Sequence, residues 1–263
     1  LEYVHWLASI LLLILVAPLE RLFPRVKSKN IKPKLLTVLG IAFCAYLSLY
    51  AFKNSFHQDI ISILFGVQIV SIAKLPINEW LIFIIGFLFM DFLIYLFHFL
   101  SHKITFLWSM HSVHHADEHV TASSALLHHP IETILSFIFV ISFAVLFGVP
   151  VLVLIAYAAI GTIHNLLVHS NIAISSKVDA ALRLVIVTPD MHRTHHSIDM
   201  SEGNSNFGQL LTIWDRIFRT YKAHPSRSES KLKMGLPKSE KPNQFNTIGL
   251  LLHPFDRLFA KRN

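Results

Sequence analysis

Apolar residues in this sequence are gathered into long blocks that short polar stretches separate. The blocks predict helices over 3–19, 35–52, 77–97, 131–148 and 151–168, each close to the length that an α-helix needs to cross the apolar core of a bilayer. The block 60–72 is shorter, and we expect it to lie at the membrane surface or to dip into the bilayer. Only Gly148-Val149-Pro150 separates the last two long blocks, which predicts an antiparallel helical hairpin.

Composition supports a membrane protein and narrows the classes of partner. Apolar residues make up 53% of the chain, and its mean hydropathy is +0.54, which is high for a soluble enzyme. The net charge of +7 comes from loops and the tail of an apolar chain, so we attribute it to lipid headgroups and cytoplasmic retention rather than to nucleic acid. Because Cys44 is the single cysteine, an intrachain disulfide and a cysteine-held cluster are excluded.

The polar residues that stand out are histidines in three clusters, with the sequences HFLSH, HSVHH and HRTHH. Residues three and four apart share one face of a helix, so each cluster directs its imidazoles one way. Neutral imidazole is a common ligand of iron, zinc and copper, and eight imidazoles exceed the needs of one ion. The spacing therefore predicts a two-metal site, with these ligands: His98, His102, His111, His114, His115, His192, His195 and His196.

The distribution of positive charge predicts where this site lies. Six basic residues fall between the first two apolar blocks, from Arg21 to Lys34, and such a loop should stay in the cytoplasm. Counting the later crossings from that loop brings every histidine cluster to the cytoplasmic face. We therefore expect an all-α, multi-pass transmembrane helical bundle with a cytoplasmic helical cap that carries the histidine boxes.

The end of the fifth block adds candidates to the site. His169 should reach the same membrane boundary as the first cluster, and we interpret it as a further metal ligand, the alternative being an interfacial histidine. His164 lies about 140° around the helix from His169 and cannot easily bind the same ion. Asn165 shares the face of His169 better and is a candidate to hold a metal-bound water.

Four other polar residues are candidates to act through the ligands. Asp91 and Tyr95 share one face of the third block with His98; Asp91 either anchors the metal site or makes a polar contact between helices. Glu132 either accepts a hydrogen bond from a ligand imidazole or stabilises the start of its helix. His129 precedes a proline, which fits a regular ligand helix poorly.

Together these motifs resemble the fatty acid hydroxylase/sterol desaturase superfamily of membrane di-metal oxygenases. The resemblance covers about residues 78–221 and includes DFLIYLFHFLSH, LWSMHSVHH, HHPIE, LLVHSNI, TPDMHRTHH and NFGQLLTIWDRIF. Two positions depart from the family pattern. Leu127 replaces an arginine that often stands two residues before the histidine of the H-P-x-E motif, and Arg219 replaces the usual glycine after W-D-x-x-F.

The resemblance implies a di-iron centre that uses O2 to hydroxylate an unactivated C–H bond of a lipid, either a fatty acyl chain or a sterol-like ring system. Zinc commonly takes the place of iron at imidazole sites. A desaturase on the same centre is an alternative, and so, from another class, is a histidine-rich membrane protein that binds or transports metal without redox chemistry.

Electrons have to come from an external donor, because the chain has no flavin or haem motif. We expect a reductase or a small electron carrier to dock on the basic surface that includes Lys222, Lys231, Lys233 and Lys238. The expected organisation is an N-terminal transmembrane hairpin and interfacial segment (1–77), a histidine-box hydroxylase or desaturase domain (78–221) and a basic C-terminal tail (222–263).

Overall fold

The computed structural model describes residues 2–26, 35–66, 69–225, 232–242 and 245–259. Within these ranges the regular structure is helical, apart from isolated β-bridges between loops, which confirms the predicted fold class. The helices are α1 (Glu2–Leu22), α2 (Leu35–Gly66), α3 (Glu79–Lys103), α4 (Thr105–His111), α5 (Pro130–Leu146), α6 (Val151–His169), α7 (Ser176–Leu182), α8 (Pro189–His195), α9 (Met200–Gly203), α10 (Ile213–Ile217) and α11 (Thr247–Phe259).

Among the described residues, three helices are long and apolar enough to cross a membrane: the segment Leu35–Ser55 of α2, and the whole of α3 and α6. Helix α5 is apolar but shorter. Helix α2 runs beyond its predicted end at residue 52, so residues 60–66 continue this helix and do not form a separate surface segment. The polar residues after 52 interrupt the apolar pattern, yet no proline or glycine occurs before Gly66 to end the helix. Residues 67–68 of the expected surface segment lie outside the described ranges.

Helix α3 is the centre of the bundle. Helices α5 and α6 both pack against it, and α2 packs along α5. The turn between α5 and α6 is tight, with Gly148 at a positive φ of 55°. The two helices nevertheless do not pack along one another as the expected hairpin would. The reason is that Phe87 and Phe89 of α3 contact Tyr157 of α6 and Phe147 after α5, so the side chains of α3 stand between them.

A buried carboxylate joins this bundle to the later part of the chain. Asp91 of α3 is fully buried and accepts hydrogen bonds from the Tyr157 hydroxyl at 2.7 Å, the Trp214 indole at 2.9 Å and the Leu211 amide at 3.2 Å. It therefore connects α3, α6 and the start of α10. These contacts match the second of the two roles considered for Asp91, a polar contact between helices.

Replacing Asp91 by alanine should destabilise the fold, because the buried Tyr157 hydroxyl and the partly buried donors of Trp214 and Leu211 would lose their acceptor. One unsatisfied buried donor costs about 1–3 kcal/mol, so we expect the free energy of unfolding to fall by that amount or more. Thermal unfolding in detergent measures this, with Asp91→Asn as the control, because its amide oxygen can accept from Trp214 and Leu211 while its NH2 group donates to the Tyr157 oxygen. An Asp91→Ala protein that melts with the wild type would contradict the assignment.

Candidate metal centre

Nine histidines meet where the ends of α3, α4, α6 and α8 converge. The nitrogens that could bind a metal lie within 4.8 Å of one another inside each of two groups. One group holds five histidines and the other four. They are His98, His102, His111, His115 and His195 in the five-histidine group, and His114, His169, His192 and His196 in the four-histidine group. The structure thus brings together all nine residues that the sequence suggested as ligands.

Local sequence explains how α8 presents its three histidines. Thr188 caps the helix by accepting from the Met191 amide, and Pro189 occupies the first turn, where a missing N–H costs nothing. The opposite face of α8 carries Arg193, which is almost fully buried and donates to the Asn171 side chain at 2.7 Å. This contact ties α8 to the segment that follows α6 and so turns the histidine face towards the other clusters.

Hydrogen bonds fix which ring nitrogen each histidine offers. His98 and His195 direct Nδ1 at the backbone carbonyls of Phe207 and Ser205, both at 2.8 Å, and His169 directs Nδ1 at the carbonyl of Asn165 at 2.7 Å. Since a carbonyl only accepts, each Nδ1 carries the proton and each Nε2 keeps a free lone pair. His111 is held in the same way by the Glu132 carboxylate, 2.6 Å from its Nδ1.

The bare nitrogens then face one another at short range. Nε2 of His98 lies 3.1 Å from Nε2 of His111, although neither atom has a proton to share. In the four-histidine group, Nε2 of His169 lies 3.0 Å from that of His114 and 2.8 Å from that of His192. The two lone pairs of His98 and His111 repel at this distance unless a cation lies between them. Metal–nitrogen bonds of about 2.1 Å at right angles separate two ligand nitrogens by roughly 3.0 Å.

Buried imidazole nitrogens without a hydrogen-bond partner also indicate metal ligands. Among the described residues, Nε2 of His102, His115 and His195 is buried without a hydrogen-bond partner. Burial, with smaller repulsion from neighbouring imidazoles, holds the pKa of His114 and His115 well below the usual 6.5. Burial also lowers the pKa of His195 to about 3. Neutral imidazole is the form that binds metals, so the residues of both groups fit metal ions.

The segment after α9 supplies several of these acceptors and is itself held by Asp215. The Asp215 carboxylate accepts from the amides of Phe207 at 2.8 Å and Gly208 at 2.9 Å. A side chain at Gly208 would meet the Leu211 carbonyl at 2.7 Å and the Asp215 carboxylate at 2.9 Å, so only glycine fits. The block NFGQLLTIWDRIF thus acts as a clasp, in which Trp214 binds Asp91 and Asp215 positions the acceptor for His98.

Sequence reasoning missed the part that His128 plays. His128 stacks on His114 with ring centroids 4.5 Å apart, and its Nδ1 lies 3.2 Å from the Glu132 carboxylate. Burial opposes its charge, yet the Glu132 carboxylate raises the pKa of His128. With His111 and Glu132 it forms a third cluster. The signal was its position four residues before Glu132, which places it just ahead of the first turn of α5 and beside that carboxylate.

Other candidates lie apart from the two groups. Both ring nitrogens of His129 are engaged, since Nδ1 caps α5 and Nε2 lies 3.2 Å from the Leu251 carbonyl. The Tyr95 hydroxyl lies 3.0 Å from that of Thr220 and supports the clasp. His164 belongs to none of the metal-binding clusters found among the described residues. The Asn165 side chain faces a cavity, while its backbone carbonyl holds His169.

Two cavities adjoin the histidines. The first, of about 220 Å³, is lined by members of both groups. The second, of about 420 Å³, lies among α1, α2, α3, α5 and α6, and its lining is mainly apolar. The cavities are adjacent, and we call the residues that line both of them the neck: Ile94, His128, Thr133, Asn165 and Gln209.

The two departures from the family pattern have structural consequences. Leu127 is fully buried in an apolar cluster with Val38 and Trp108, so a charged side chain would lose its hydration there. Arg219 adopts a positive φ of 58°, a conformation that glycine takes without strain. The glycine usual at this position is therefore explained by the backbone.

Comparison with known proteins identifies a matching family and several similar sequences. The fatty acid hydroxylase family model matches residues 83–220. Ornithine lipid hydroxylase OlsE of Rhizobium tropici is 30% identical over 149 residues, which cover 57% of this chain and 44% of that protein. Alkylglycerol monooxygenase of Caenorhabditis elegans is 29% identical over 182 residues, 69% of this chain and 34% of the relative.

The human alkylglycerol monooxygenase is 28% identical over 168 residues, 64% of this chain and 35% of that protein. The matched part of the chain thus spans less than half the length of each of these relatives. No solved structure gives a significant match.

Replacing Glu132 by glutamine should weaken metal binding without unfolding the protein. The neutral amide no longer fixes the His111 ring through a charged acceptor, and loss of such a partner typically lowers metal affinity about 10- to 100-fold. Titration of the apoprotein with Fe²⁺ measures the effect, and Glu79→Gln, at the exposed start of α3, is the control. Equal affinity in both variants would show that Glu132 does not support a ligand.

Proposed function

The chain belongs to the fatty acid hydroxylase family, and from that premise we propose that it is an O2-dependent membrane di-iron oxygenase that hydroxylates an unactivated C–H bond of a lipid. The observation that carries the proposal is the pair of histidine groups with bare nitrogens beside an apolar cavity. A pair of iron ions, one in each group, would supply the oxidising power that an unactivated C–H bond requires.

The protein's own contribution is to hold the nine imidazoles in place. His98, His169 and His195 are oriented by backbone carbonyls, and His111 by Glu132. None of these acceptors has to move when an ion binds, so the site is organised in advance. Because imidazole ligands are neutral, ions held by these histidines would keep their full positive charge.

The lipid would reach this site from the membrane. The second cavity lies among helices that include the membrane-spanning segments, and it adjoins the histidine pocket at the neck. An acyl chain that moves from the bilayer into that cavity stays in apolar surroundings. One of its carbons would reach the metals without passing through water. The relatives are named for acting on ornithine lipid and alkylglycerol, which supports a lipid substrate and hydroxylation rather than desaturation.

The geometry argues against a transporter. A transport path requires ligands in series across the membrane, whereas these histidines form adjoining groups at the ends of α3 and α6. We further propose that this end faces the cytoplasm, because the basic residues between α1 and α2 should stay on that side. Within that segment, 27–34 lies outside the described residues.

Reducing equivalents would come from a reductase or small electron carrier. The face of α8 opposite its histidines lines a large surface cleft, which also includes Lys233 and Lys238. Lys222 lies 3.8 Å from Glu202, and Lys231 lies outside the described ranges. An acidic carrier that docks on this cleft would be separated from the histidine ligands by one helix, about 10 Å across.

Oxygen insertion tests the proposal directly. Iron-loaded protein in lipid nanodiscs, supplied with ¹⁸O2, a chemical reductant and a mixture of membrane lipids, should produce a lipid that carries one ¹⁸O atom, as mass spectrometry detects. His114→Ala and His195→Ala each remove a ligand from one group and should lower the yield at least about 100-fold. His164→Ala, a histidine of neither group, is the control and should keep activity. Label incorporation that survives both ligand substitutions would refute the proposed site.

A further inference from the structure

The neck between the two cavities is polar at a depth where the surrounding helices are apolar. Asn165 and Gln209 line both cavities, and Asn165 belongs to the membrane-spanning helix α6. Polar side chains at such positions are costly and usually serve a partner.

Neither amide has a strong partner in the part of the chain that the structure describes. The Asn165 amide donates to the Ala125 carbonyl and the Gln209 amide to the Gly161 carbonyl, both at 3.4 Å, which is beyond the usual range for such bonds. No hydrogen bond to either side-chain oxygen is found among the described residues. In the deeper cavity, by contrast, the Thr162 hydroxyl is satisfied by the Ala158 carbonyl at 2.7 Å, and Tyr157 by Asp91.

Both amides are also fixed relative to the histidines. Asn165 lies four residues before His169 and holds it through its own backbone carbonyl. Gln209 follows Phe207 by two residues, and the carbonyl of Phe207 holds His98. The Asn165 side chain is thus about one helical turn, or roughly 6 Å, along α6 from a residue of the four-histidine group.

We propose that Asn165 and Gln209 form a subsite for a hydrogen-bonding oxygen of the lipid, a hydroxyl or an ether, a few bonds from the carbon presented to the histidines. The inference rests on the proposed function, because it assigns the occupant of the same cavities. A substrate with a bare hydrocarbon chain at the neck would cover these two half-buried amides and leave them unpaired, and such mismatches discriminate strongly between substrates. The residues therefore select an oxygen-bearing lipid over a plain acyl chain and set which carbon reaches the metals.

Binding of matched lipids tests this subsite separately from turnover. Three lipids of equal length would carry CH2, an ether oxygen or CHOH at one chain position near the headgroup, and each would displace a fluorescent lipid from protein in nanodiscs. We expect at least one oxygen-bearing lipid to bind the wild type about tenfold more tightly than the CH2 lipid or better. In Asn165→Leu and Gln209→Met this preference should fall to about threefold or less, while the affinity for the CH2 lipid is unchanged.

Thr162→Val is the matched control, because it removes a hydroxyl from the deeper cavity that is already satisfied within α6. It should keep the preference. Equal affinity of the wild type for all three lipids would overturn the subsite. So would neck variants that keep the preference or that weaken binding of all three lipids alike, since the latter indicates a structural role. Failure of the proposed function would show differently, as absent ¹⁸O incorporation, whatever the binding preference.

Discussion

The close approach of bare imidazole nitrogens is the constraint on which the rest of the structure depends. The Nε2 atoms of His98 and His111 lie 3.1 Å apart, each with a free lone pair, and repel one another, so the surrounding structure has to hold them in position. The backbone carbonyls of Phe207, Ser205 and Asn165 and the carboxylate of Glu132 hold the rings in place. A cation between the nitrogens would replace this repulsion with coordination. Folding already holds the rings close together, so ion binding does not have to supply the free energy that brings them there.

Much of the remaining architecture serves those acceptors. Two buried carboxylates connect segments that are distant in the sequence. Asp91 ties α3 to α6 and to Trp214, and Asp215 holds the amides of Phe207 and Gly208. The acceptor for a histidine of the membrane helix α3 is thereby supplied by a loop more than one hundred residues later in the sequence. The same arrangement leaves an apolar cavity among the helices that ends at the histidines, so one scaffold organises both the site and its access from the membrane.

Residue patterns predicted the helical class, the family and the nine clustered histidines, because ligand spacing on a helix is a local property. They did not predict the length of α2, since polar residues after 52 mimic a helix end without breaking the backbone. They also missed the divergence of α5 and α6, which depends on the aromatic side chains of α3. The stacking of His128 on His114 and the neck amides depend on contacts between distant segments, which spacing along the chain cannot show. At Arg219 the sequence showed only a departure from the usual glycine, and the backbone, with its positive φ, supplies the physical reason for that glycine.

Metal stoichiometry tests the central claim most directly. Protein purified anaerobically and reconstituted with Fe²⁺ should hold about two irons per chain by elemental analysis, because the two groups offer separate nitrogen sets of five and four histidines. A site that retains only one iron per chain under these conditions, or none, would contradict the assignment of the two groups as a di-iron centre.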